Sequence, residues 1–440
     1  MHTRIATLAV LALGIALPAL AADPLPLATP ESVGMSSERL ARLGEVLRAD
    51  VENDRLPGAV IAIARRGKLV HFEAIGYRDK AAGAPMTNDA IFGIASMTKP
   101  MVTAGARMLY EQGRLLMNDP ISKYFPQFAD TQVAVMSEDG QRILDTVAVD
   151  RPITVQDLMR HTSGIIYGNR GTTAVHKAST QALGRPQATL SGPEFIDALA
   201  SVPLLYQPGT VWDYGYSIDV VGQLIEHLSG QTLGEYLKAN LFDPLGMVDT
   251  GFLLPDQDQD RYAQVLPEDP LSGRPQSTRD ATTPLTFECG GGCAISTASD
   301  YLRFALMLLN DGALGDTCVL GRKTVEYMLS NHLGPDVENL IAAADPTRAD
   351  YSRCCVLRTS MCSHAVLLSS TTQIPSRGRT SHREHRTSAQ RSPHATRFLP
   401  VATSKWSTVM GRRHLSKSLI SSAEVSLRVL HVENAASIAT

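Results

Sequence analysis

Cysteine is scarce in this chain and follows no pattern: six occur in 440 residues. Cys289 and Cys293 flank three glycines, Cys318 stands alone, and Cys354, Cys355 and Cys362 crowd together. No two C-x-x-C units are present, so a zinc site lacks its ligand spacing, and the six do not read as a disulfide framework. They read as free or incidental thiols. Long apolar runs are also missing: after the first 21 residues no stretch is apolar enough to span a bilayer. No internal repeat is found. What remains, 44% hydrophobic and 19% charged, is ordinary globular composition, and the length is enough for two or more packing units.

The first residues, MHTRIATLAVLALGIALPALAADP, place His2 and Arg4 before an apolar run from Ile5 to Leu20, with small residues at Ala19 and Ala21. That is the layout of a secretory signal peptide over residues 1–21, too short and wrongly flanked for a stable membrane anchor. The mature chain is expected to begin near Ala22, in the periplasm or outside the cell. Charge is divided unevenly along the rest. The first 352 residues hold 28 basic and 41 acidic residues, a net of −13, and residues 353–440 hold 13 and 3, a net of +10.

Periodicity gives a coarse map. Leu40, Leu43, Val46 and Leu47 share a face of a helix predicted from Ser36 to about Leu56. Two β-rich runs, Val60 to Ala64 and Leu69 to Ile75, are joined through Arg66-Gly67-Lys68 as a hairpin. Capping boxes at Thr154/Asp157, Thr232/Glu235 and Thr297/Asp300 mark helix starts. After Asp219, the residues Val220, Val221, Leu224, Ile225 and Leu228 form a core-facing stripe, and PLGM at 244–247 ends the next helix. Residues from about 100 to 335 are therefore expected to be mainly helical, with polar loops near 138–150 and 165–190.

The stretch FGIASMTKPMV, residues 92–102, carries the first chemical clue. Met101, Ala104, Gly105, Met108 and Leu109 share a helix face, and Gly113 suits its C-terminus. Ser96 thus lies at or near a helix N-terminus, where unpaired N–H groups favour negative charge, and its own N–H can hold an oxyanion. Lys99 follows on the same face. At an ordinary pKa of about 10.4, only roughly one lysine in 2,500 is neutral at pH 7, so Lys99 needs burial and nearby positive potential before it can take the serine proton. S-x-x-K alone is common by chance. The second clue is Tyr214, in a turn-rich loop just before a helix, where a phenol can relay a proton or hydrogen-bond the serine oxygen.

Taken with GIASMTKP, the segments TVQDLMRHTSG, PGTVWDYGYSIDVVG, LFDPLGMVDTGF and GGGCAISTASDYLRFALMLLNDG make an ordered set of five. That set resembles the serine β-lactamase and penicillin-recognising family, and within it the class C-like, family VIII carboxylesterases. The resemblance runs from about residue 30 to Ser352. It implies an α+β fold, an antiparallel sheet flanked by helices with a mostly helical subdomain at about 100–290, in a hydrolase domain spanning 22–352. It further implies Ser96 as acylated nucleophile, Lys99 as its proton partner and Tyr214 as the tyrosine of the second motif, with Asp219, Val220 and Gly222 fitting the Y-S-x-x-x-D-V-x-G pattern. Gly215 stands where serine is usual, and Tyr216 where many lactamases have asparagine, which weakens the case for β-lactam amides; Tyr216 is a backup for the phenol. HTSG at 161–164 precedes Tyr214 and is set aside as a third motif, and RKTV at 322–325 lacks the glycine. No G-x-S-x-G elbow surrounds any serine, which leaves an α/β-hydrolase with little support.

The family's third motif, a K-T-G, H-x-G or W-x-G on a C-terminal strand, supplies the second oxyanion donor, and none occurs after Ser352. The tail instead reads RCCVLRTSMCSHAVLL and SRGRTSHREHRTSAQRSPHATR, with Gly378 and Gly411 as its only glycines. A nucleic-acid-binding tail lacks stacking aromatics, and a disordered tail suits the composition. The reading preferred is a frame slip near Ser352, leaving an aberrant tail at 353–440, the closing strands missing, the edge of AVIAIA unpaired and activity weakened. The expected function is a serine hydrolase on small esters or amides, foremost a carboxylesterase. The alternatives are a β-lactamase or D-Ala-D-Ala carboxypeptidase, or an inactive penicillin-binding-like protein. No metal, organic cofactor or nucleic-acid partner is implied.

Overall fold

The computed structural model describes residues 24–183, 189–334 and 336–339, and the backbone of Ala365–Ser369. The leader expected at 1–21 and the tail expected at 353–440 lie outside the described residues, apart from that last strand.

The hairpin begins the sheet. Strand β1 (Gly58–Arg65) pairs antiparallel with β2 (Lys68–Asp79), in the register Ile61↔Glu73 and Ile63↔His71. Arg66 and Gly67 both take positive φ, 55° and 73°, the pair of left-handed residues that a two-residue hairpin turn needs to match strand twist. Strand β3 (Ala84–Pro85) adds to the far side of β2. β1 is buried along both faces, and its side-chain alternation divides two cores. Ala59, Ile61 and Ile63 meet Leu40, Leu47 and Val51 of helix α1 (Ser37–Glu52), whereas Val60, Ala62 and Ala64 belong to the main core with Tyr301 and Phe304 of the helix Ala298–Leu309. Each fully buried Ile or Leu of this kind contributes about 1.5–3 kcal/mol, so the sheet is held chiefly by its two faces of packing.

The expectation of an unpaired β1 edge is corrected. Ala365–Ser369 pairs antiparallel with β1, from Ala59↔Ser369 to Ile63↔Ala365, giving the order Ala365–Ser369, β1, β2, β3. The sequence AVLLS is a short apolar run inside an otherwise basic, polar stretch, and it is the part of that stretch suited to an apolar edge.

Local signals set the helices, with differences. The Oγ of Ser36 caps α1 by accepting the Arg39 N–H, but the buried stripe runs through Leu40, Gly44, Leu47 and Val51, while Val46 is 57% exposed. Capping boxes close reciprocally at Thr154/Asp157 and Thr232/Glu235. At Thr297 only half forms, because the Asp300 carboxylate accepts the Asp249 N–H and the Thr250 hydroxyl instead. Residues near 138–150 are not a loop: Gln132–Met136 and Ile143–Ala148 pair as a hairpin. The stretch 165–190 likewise contains a helix, Ala174–Ala182, started by a Thr173 cap. Between Thr250 and Ala294 the chain is largely irregular rather than helical.

The cysteines also differ from expectation. Cys289 and Cys293 form a disulfide with Cα atoms 5.2 Å apart, while Cys318 is free and exposed. Three glycines between them let the chain fold back within one turn, and the Cys293 N–H donates to the Cys289 carbonyl at 3.2 Å.

Candidate active site

Helix α2 (Thr98–Glu111) is preceded by a 3-10 turn, Ala95–Met97, which places Ser96 just outside the helix rather than within it. Ala95 holds a positive φ of 42°, a costly conformation for a residue with a Cβ, of the kind concentrated at functional sites. The turn is braced from behind. Ile94 N–H donates to Ala294 O at 3.0 Å, Ala294 N–H to the Thr98 hydroxyl at 3.1 Å, and the Tyr301 hydroxyl to Met97 O at 3.0 Å. Ser96 is left half-buried, while Lys99 is only 8% exposed.

The three residues singled out from the sequence converge on one oxygen. Lys99 Nζ lies 3.2 Å from Ser96 Oγ, and the Tyr214 hydroxyl donates to the same Oγ at 2.8 Å. Lys99 Nζ also sits 4.5 Å from the centre of the Tyr214 ring and donates to the Gly291 carbonyl at 2.5 Å. Tyr216 is not brought to the serine: its ring packs in the core, 4.4 Å from Tyr167 and 5.8 Å from Phe195. Among the described residues no acceptor is found for the N–H of Ser96, the middle residue of the turn. The segment from which a second oxyanion donor was expected lies outside the described residues, save Ala365–Ser369.

Tyr214 reaches Ser96 from the strand Val211–Trp212, which HTSG holds in place. Gly209 N–H donates to Thr162 O at 2.7 Å and Asp213 N–H to His161 O at 3.0 Å. His161 packs its ring 4.8 Å from Tyr214 and 6.1 Å from Trp212. Burial, with the charges of Lys99 and Arg170, pushes the His161 imidazole down to about 3, so it is neutral at ordinary pH and serves as wall. Gly215 explains its own departure from serine: a Cβ there would lie 2.1 Å from the Ile165 carbonyl oxygen. Behind this wall, Asp157 is fully buried and binds Arg151 twice, Arg160 once and the Thr154 and Thr162 hydroxyls, which holds its carboxyl far below the usual range against the cost of burial. Arg170 holds its guanidinium over the Tyr214 ring, 5.2 Å from the ring centre.

Other residues at the site were not read from sequence as participants. Asp219, noted only as a pattern position, is buried with Oδ1 accepting the Gly291 N–H at 2.9 Å, and burial pushes its carboxyl up to about 6 against the pull of Lys99. Burial also raises the Asp213 carboxyl to about 6, with Arg170 opposing. Tyr167, from a stretch expected as loop, lies 5.5 Å from Tyr214 and 5.8 Å from Lys99 Nζ. HTSG did carry a signal, as a polar box after a capped helix; it forms the wall behind the phenol. RKTV lies on the helix Arg322–Met328 with Lys323 exposed.

Residues 43–342 match a family model described as Beta-lactamase. A Mycobacterium tuberculosis protein described as uncharacterized is 37% identical over 281 residues, covering 63% of this chain and 68% of that protein. Esterase EstB of Burkholderia gladioli is 31% identical over 295 residues, covering 63% of this chain and 72% of its own. Unliganded simvastatin synthase from Aspergillus terreus superimposes with a TM-score of 0.59 at 24% identity, over 73% of this chain and 80% of that one. That likeness is one of fold.

Proposed function

Because this chain belongs to the beta-lactamase family of serine hydrolases, with an esterase among its relatives, we propose that it is a carboxylesterase working through an acyl-enzyme on Ser96. The observation that supports this most is the meeting of Lys99 Nζ and the Tyr214 hydroxyl on Ser96 Oγ, at 3.2 and 2.8 Å. Ser96 Oγ attacks the ester carbonyl carbon while neutral Lys99 takes its proton. The carbonyl oxygen gains negative charge and is met by the Ser96 N–H. Tyr214, held against both groups, passes its proton to the departing alcohol oxygen and takes in its place the one Lys99 received from Ser96, so the C–O bond breaks and both groups return to their starting protonation. Water then attacks the acyl carbon, its proton returns through the same pair, and Ser96 Oγ leaves protonated.

Esters are favoured over β-lactams because Tyr216 occupies the position where many lactamases have asparagine, and its side chain is packed away from Ser96. Kinetics on p-nitrophenyl acetate and on a chromogenic cephalosporin test the choice. The ester is expected to show the higher kcat/KM, abolished in Ser96→Ala. A higher Ser96-dependent kcat/KM on the cephalosporin would make the protein a β-lactamase.

A second donor was expected beyond Ser352, where no third-motif box occurs. Loss of one oxyanion donor costs about 2.7–4 kcal/mol, or 10²–10³ in rate, so slow turnover is expected of this chain. A fluorophosphonate probe separates a slow enzyme from an inactive relative: Ser96-dependent labelling supports the former, and its absence the latter. The frame slip proposed for residues 353–440 is tested by translating the gene in its other two frames across codon 352. A periplasmic or secreted location fits the leader expected at 1–21 and the disulfide, since disulfides persist in oxidising compartments. N-terminal sequencing of the mature protein is expected to start near Ala22.

A further inference from the structure

Three consecutive glycines form one side of the Lys99 pocket, and glycines bring no side chain with which to pack a loop in place. Yet Gly290–Gly292 must stay where it is, because the Gly291 carbonyl is a direct partner of Lys99 Nζ at 2.5 Å. Gly291 is held from the other side by its N–H, which donates to Asp219 Oδ1 at 2.9 Å. The approach is close enough that a Cβ on Gly291 would lie 2.4 Å from Asp219 Oδ2, and one on Gly290 would lie 2.6 Å from the Ile218 carbonyl. The ends of the loop are Cys289 and Cys293, joined covalently, and the Cys293 carbonyl accepts from the Arg279 guanidinium at 2.9 Å. The segment that continues from Cys293, through Ala294, also braces the turn bearing Ser96.

We propose that the Cys289–Cys293 disulfide and Asp219 act as positioning groups for the reaction: together they fix the Gly291 carbonyl, and through it hold the Lys99 amine at Ser96 Oγ. Neither sulfur touches the reacting atoms. The disulfide limits the paths open to the glycine loop, and Asp219 selects the one in which the Gly291 carbonyl faces Lys99 and its N–H faces the helix Ser217–Ser229. The amine has three hydrogens or, once discharged, two hydrogens and a lone pair. With one hydrogen committed to Gly291, rotation about the end of the side chain is restricted, and the remaining positions turn toward Ser96 and Tyr214. The proposal rests on the reading of Lys99 as the proton acceptor for Ser96.

Covalent labelling by a fluorophosphonate tests it, because labelling reports attack by Ser96 without requiring turnover. Rate constants at saturation (kinact) and half-saturating concentrations (KI) are compared for the oxidised chain and for a Cys289→Ala/Cys293→Ala double variant whose circular dichroism matches it. The variant is expected to lose about 10-fold or more in kinact with KI unchanged, the cost of a displaced catalytic group. Mild phosphine reduction of the folded wild-type chain, with both thiols verified by mass, is expected to give the same loss, and the double variant to show no further change. If the double variant does not fold, the reduction arm decides alone. An unchanged kinact, or a raised KI at constant kinact, would overturn the proposal. Absence of Ser96-dependent labelling in the oxidised wild type would instead overturn the acyl-enzyme reading itself.

Discussion

The two sides of Ser96 are built by opposite means. On one side Tyr214 stands among rings: His161, Trp212 and Tyr167 lie within 4.8–6.3 Å of its centre, backed by the buried Asp157 network. On the other side Lys99 meets a run of glycines with almost nothing to bury, held by a disulfide, one carboxylate and backbone hydrogen bonds. The difference follows from what each wall contributes. A phenol is oriented by packing its faces, and aromatic neighbours do that with van der Waals area and ring electrostatics. A carbonyl acceptor needs close backbone approach, which excludes side chains, so its order has to come from covalent or hydrogen-bonded restraint.

The largest expected effect lies where the walls meet. Lys99→Met keeps length and removes the amine, and is expected to lower kcat/KM on p-nitrophenyl acetate by up to about 10⁴-fold, the upper range for a general base. A loss under tenfold would mean that neither wall serves a proton acceptor. The aromatic side is tested next by Asp157→Ala, which strands Arg160 and Arg151 against a buried position. Breaking a buried pair costs about 3–5 kcal/mol, and the partial exposure of Arg151 favours the lower end, near 3 kcal/mol by urea unfolding. Tyr214→Phe retains the ring and its packing and removes only the hydroxyl. It is expected to leave the unfolding midpoint in place and to reduce kcat about 10²-fold. Equal loss of stability and rate would show that the ring, not the oxygen, matters.

The smallest expected effect sharpens the glycine side. The Asp219 carboxyl, at about 6 in the fold against an ordinary 3.8, binds its proton more tightly folded than unfolded. Between those values the folded state carries more protons, so stability falls as pH rises from about 4 to about 6. Burial raises Asp213 and Asp300 to about 6 as well, and they act in the same direction. Asp219→Asn keeps an acceptor for the Gly291 N–H and removes the titration. Its urea midpoint is expected to change less than the wild type's between pH 4.5 and 7, by on the order of 1–3 kcal/mol in stability.

How much of this was legible from sequence divides along the same line. The S-x-x-K spacing put Ser96 and Lys99 on one side of a helix start, but only its place in the ordered set of five segments singled them out, because that spacing alone is common by chance. Tyr214 needed its motif, and Gly215 was visible only as a departure until the Ile165 carbonyl gave its reason. Long-range wall-building was largely hidden. Tyr167 lies in a stretch read as loop, and the role of HTSG depends on a strand 50 residues later folding back on His161. The disulfide was missed because a spacing of four is too short for any framework pattern, and its geometry depends on the intervening glycines. The pairing of Ala365–Ser369 with β1 was missed for a different reason: four apolar residues are a weak signal inside a basic tail.

Everything converges on whether the acyl group resides on Ser96. Rapid quenching of the full chain with p-nitrophenyl acetate, followed by peptide mass analysis, reads this directly. An acetyl adduct is expected on the peptide bearing Ser96, formed more slowly in Lys99→Met and absent in Ser96→Ala. Ester turnover with no adduct there, or undiminished turnover by Ser96→Ala, would contradict it.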